Sequence, residues 1–83
     1  MSKKELESNR RIKGWDFELI SQSNGNDVFY QCRGEVMYDD YHDQMPEPSL
    51  WKAAIKLEGI LFKEGHKVEA THSEKGWVEV VIN

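Results

Sequence analysis

Apolar residues fall at helical spacing in one long run, from Ser49 to Gly65, and alternate with polar ones through most of the remaining chain. At about 100° per residue, Leu50, Ala53, Ala54, Leu57, Ile60 and Leu61 share one continuous stripe, as a helix lying on a sheet requires. Lys52, Lys56 and Lys63 gather on the opposite side, with Gly59 among them. Trp51, Ile55 and Phe62 make a second apolar strip, separated from the first by Glu58. Together the two strips exceed the ~100° that a one-sided surface helix presents, so the second needs cover. That cover comes from the N-terminal segment, from the 39–48 loop, or from a partner or second copy of the chain. Pro46-Glu47-Pro48-Ser49 marks the start of the helix, with Ser49 as its expected cap, and Gly65 suits the left-handed position after its end.

Strand patterns flank this helix. Trp15, Phe17 and Leu19 alternate with Asp16, Glu18 and Ile20, and the polar cluster 21–27 reads as a hairpin connection with Asn24-Gly25 at its turn. A second strand is predicted from Val28 to about Tyr38, with Gly34 inside it marking a bulge or close packing. After the helix, 66–72 and 77–82 form another hairpin around Ser73-Glu74-Lys75-Gly76. The predicted fold is therefore α+β: a four-stranded, mainly antiparallel sheet in the order β-β-α-β-β, with one long helix on one face. Ser2-Lys3-Lys4-Glu5 has capping-box form, so a short helix is expected within 2–12, marginal because only Leu6 and Ile12 can be buried. The sheet face away from the helix would carry Ile20, Phe29, Met37, Trp77 and Val81 among charged residues. It invites either cover by the N-terminal segment or an interface, homodimeric included.

Composition sharpens the picture. Eighty-three residues make one domain, with a modest core and no room for a deep enclosed pocket. There is one Cys, and no apolar run approaches the length of a membrane span or a signal-peptide core, which together suit a reducing cytoplasm. The net charge of −4 is uneven. Residues 1–13 hold five cations against two acids, and 14–83 hold six against thirteen. A basic arm thus precedes an acidic single domain, which disfavours generic contact with nucleic-acid phosphates.

Chemistry-bearing motifs are scarce. Asp39, Asp40, His42 and Asp43 are the densest titratable group, but their spacing matches neither a calcium loop nor a zinc site, and no cofactor or metal is expected. Neither a nucleophile elbow nor a glycine-rich phosphate loop is present, so an enzyme is not the expectation. The sequence points first to a small non-enzymatic module binding another protein or itself, through Trp51, Ile55, Phe62, Phe29, Met37 or Trp77. A second option is nucleic-acid binding by Arg10, Arg11, Lys13, Lys52, Lys56 and Lys63. A third is an acidic protein that fills a basic groove on its partner.

Overall fold

A computed structural model describes residues 6–21, 28–38, 40–41 and 43–82. Five strands form one antiparallel sheet: β1 (Asn9–Ile12), β2 (Trp15–Ser21), β3 (Val28–Arg33), β6 (Val68–His72) and β7 (Trp77–Ile82), in the spatial order β1-β2-β3-β7-β6. A separate two-stranded ribbon pairs β4 (Met37–Tyr38) with β5 (Gln44–Met45), and the helix α1 spans Pro48–Lys63. The fold is α+β with its helix on one face, but the sheet has five strands rather than four.

The additional strand is β1, where a short helix was expected. Lys13 and Gly14 both take positive φ, 53° and 88°, so a two-residue hairpin turn folds β1 back along β2. Pairing with β2 satisfies the inward-facing backbone groups of 9–12 and sends alternate side chains to opposite faces, a geometry this largely polar stretch can adopt and a one-sided helix could not exploit. The segment therefore extends the sheet edge instead of covering its open face. Residues 1–5 and the Asn24-Gly25 turn lie outside the described residues.

The second predicted strand also stops earlier than its alternation suggests. β3 ends at Arg33, because the Gly34 amide donates to the Gly76 carbonyl at 2.9 Å and the chain then leaves the sheet for the ribbon. Gly34 is a point of close packing: a methyl added there would sit 2.9 Å from Leu50 Cδ2. Ser49 is not the cap of α1. Glu47 holds that position, Pro48 opens the helix, and the Ser49 hydroxyl donates to Glu47 Oε1 at 3.1 Å. At the other end, Gly65 (φ 97°) donates to Phe62 O and His66 N–H donates to Leu61 O, both at 3.1 Å, closing the helix as a Schellman motif.

Leu50, Ala53, Ala54, Leu57 and Leu61 are fully buried against Phe17, Tyr30, Val78 and Val80. The paired alanines let the helix backbone approach the sheet, while each buried Leu or Phe contributes about 1.5–3 kcal/mol of apolar transfer free energy. Tyr30 is wholly buried, and its hydroxyl donates to Glu7 O at 2.6 Å, tying the entry to β1 into the core. β3 and β6 run in the same direction with β7 inserted between them, a split β-α-β unit in which α1 is the crossover. No helix is long and apolar enough to cross a membrane among the described residues.

Candidate functional site

α1 leaves the ribbon at the same end of the molecule where β6 turns into β7, and the junction opens as a cleft of about 330 Å³. Met45, Pro46, Pro48, Trp51, Lys52 and His72 line it, and its walls are largely apolar. Trp51 meets the His72 ring edge-on, with centroids 5.5 Å apart and planes at 90°. The 3-10 turn Glu74–Gly76 braces the far side. Its Lys75 amide donates to Gln44 Oε1 at 3.1 Å, while Arg33 Nε donates to Lys75 O at 3.2 Å. Two prolines, a strand ribbon and a pinned turn thus frame the cleft, so its shape is set before anything enters it.

The cleft ends at Trp51 and Lys52, and the second strip of α1 runs on from it through Ile55 and Phe62. The 39–48 loop covers the Trp51 end through Met45 and Pro46, leaving Trp51 half-buried. Beyond that point Ile55 is 44% exposed and Phe62 71%. Between this strip and the sheet edge, Glu58 accepts a 2.8 Å bond from the Ala70 amide, so the side chain dividing the two strips binds the outer edge of β6. On the other flank Lys52, Lys56 and Lys63 stand exposed, and none makes an ion pair among the described residues. Gly59 lies between the flanks, with nothing within 4 Å of where a Cβ would project. Its cost to the helix is about 1 kcal/mol relative to Ala.

The remaining candidates are dispersed. Met37 pairs with Met45 in the ribbon, beside the cleft and away from the sheet face expected for it. Phe29 does lie on the open sheet face, half-buried in a row with Ile20 and Val81. Trp77 shares that face under the Arg33 guanidinium, 5.7 Å from the ring centroid.

The basic residues do not make one surface. Arg10 faces the helix and is held by Glu64 through two bonds of 2.7 and 3.1 Å. Those bonds raise its pKa further above the ordinary guanidinium value. Arg11 projects from the other face towards Asp16, at 4.0 Å, and Lys13 sits in the β1–β2 turn. The helix lysines are exposed on α1.

Sequence reasoning missed the cleft-lining Met45, Pro46, Pro48 and His72. The prolines read as helix punctuation and His72 as a strand-end surface residue. Only the register of β6 against β7 brings His72 to Trp51, twenty-one positions away in the chain.

Cys32 is buried on the helix-facing side of β3, and burial pushes its thiol pKa up, which suits packing better than nucleophilic chemistry. Among the described residues no three His, Cys, Asp or Glu side chains converge on a metal position; Asp39 and His42 are outside them. No family model matches the chain, and neither a curated protein nor a solved structure is significantly similar to it.

Proposed function

We propose that this chain is a small non-enzymatic binding module that docks another protein along the outer side of α1, from the Trp51 cleft to Phe62. The observation carrying this reading is the alignment of an apolar cleft at Trp51 with two exposed apolar side chains, Ile55 and Phe62, on the same helix flank. Scattered exposed apolar residues are ordinary on any surface; apolar residues aligned on the helix flank that leads out of a cleft are less so. Aromatic and Pro side chains give area without much conformational freedom to lose, and aromatic residues and Met are enriched at interface centres.

The test is site-specific photo-cross-linking in cells that express the protein. A cross-linking amino acid is placed at Ile55 or Phe62, with Glu18 on the open sheet face as the control. One adduct of defined mass is expected from 55 and from 62 and none from 18. Equal labelling from all three positions, or no adduct at 55 and 62, would discard the docking surface.

A further inference from the structure

We infer that the partner is an acidic amphipathic helix that crosses α1 at Gly59. Its apolar side would rest on Trp51, Ile55 and Phe62, and its carboxylates would face Lys52, Lys56 and Lys63. This rests on the docking surface proposed above and adds the chemistry of the occupant.

Three features of the exposed side of α1 converge on that chemistry. First, the outward flank carries three lysines with no acidic partner among the described residues, on a protein whose net charge is −4. Cations that are not consumed internally, aligned beside an apolar strip, complement an anionic and apolar ligand. Second, Trp51, Ile55 and Phe62 are spaced over about 16 Å of helix, and their neighbouring angular positions read as the anchors of a helix-on-helix contact. Third, Gly59 sits between the apolar and basic flanks with open space above it. A residue without a side chain at that point lets a second helix backbone come close.

The same features weigh against other occupants. A second copy packed helix to helix would bring two lysine rows together. Nucleic acid offers phosphate for the lysines but nothing regular for Phe62 and Ile55. An anionic lipid surface would meet the same lysines, yet α1 offers only Ile55 and Phe62 as exposed apolar side chains to insert, and the acidic body would be repelled.

The experiment selects helical peptides against the full chain from a displayed library. Apolar positions are fixed as Leu or Phe at i, i+3, i+4 and i+7, and polar positions are drawn from Glu, Gln and Lys. Selected peptides are expected to be enriched in Glu over Lys and to bind more weakly as salt rises. Binding should weaken more than about tenfold when Lys56 and Lys63 are both changed to Glu. Gly59→Leu separates binding from folding, because it should raise the thermal midpoint through helix propensity while abolishing peptide binding.

Peptides with no preference for Glu that still depend on Ile55 and Phe62 would overturn the acidic helix and leave the docking surface standing. Failure to select any peptide would overturn it too, as would binders indifferent to the Lys56/Lys63 and Gly59 changes. Association of the chain with itself through α1, or binding to phosphatidylserine vesicles in place of peptides, would do the same. The photo-cross-linking result then decides separately whether the surface itself survives.

Discussion

Gly76 has no freedom to be another residue. Its φ is +81°, and a methyl group there would overlap the carbonyl oxygen of Gly34, whose amide donates back to Gly76 O. Gly76→Ala should cost about 2–4 kcal/mol in chemical denaturation, from the strained φ and the forced separation of the two loops. A loss below about 1 kcal/mol would mean the loops part easily. The turn itself was legible from Ser73-Glu74-Lys75-Gly76, but its clasp on Gly34 was not, since nothing local links positions 34 and 76. Arg10 illustrates the same limit: it reads as an arm cation until Glu64, distant in the chain, is seen to hold it. Cys32 gives a pH prediction. Burial raises its thiol pKa above the ordinary 9.0, so above that pH the unfolded chain releases a proton that the folded chain retains. Stability should therefore fall as pH rises beyond about 9. Whatever its absolute stability, Cys32→Ala should show a shallower fall, measured by denaturant midpoints across pH 7–11; an identical slope would assign the effect to other groups.

Elements whose periodicity is long and regular were readable, and those defined by pairing were not. α1 announces itself through its stripe, and its two ends fall at Pro48 and Lys63, close to the boundary signals. β1 contains one clearly apolar residue in four, and its turn uses Lys13 at a positive φ, a position that usually selects Asn, Asp or Gly. The β4–β5 ribbon has two residues a side and no pattern at all. The edge strand β6 shows how an element can be finished by a single side chain. Glu58 reaches down from α1 to the outward-pointing Ala70 amide, which blunts an edge that could otherwise pair with another chain. Glu58→Ala should destabilise the protein by about 1–2 kcal/mol, since the lost bond is charge-assisted. Hydrogen exchange at the Ala70 amide should accelerate by more than the global change, while Glu58→Gln should retain most of the protection. Equal exchange in all three proteins would show that the edge is protected by something else.

At the scale of the whole molecule, the protein is a thin plate of two layers, 45 × 29 × 18 Å, with no element among the described residues packed on the second sheet face. The sequence implied both the single helical layer and the surplus of apolar surface, because the arc of α1 was too wide for one contact. It did not say how that surplus would be divided. Met45 and Pro46, held at the helix start by the β4–β5 ribbon, close over Trp51, while Phe62 stands exposed at the far end of α1. The candidate site is a product of this arrangement: one wall comes from before the helix, one from the helix, and one from the strand after it. Such a surface is invisible to any local window of sequence.

The position of β7 at the heart of the sheet, between β3 and β6, has a consequence for how the protein comes into being. While residues 68–82 are still inside the ribosome, β3 lacks its inner neighbour and α1 has half a floor to lie on. The wall supplied by His72 does not yet exist. A chain lacking β6 and β7 accordingly carries a bare apolar helix stripe and no cleft. Docking along α1, as proposed above, would therefore need β6 and β7 in place, because the cleft is complete only when His72 has been brought to Trp51.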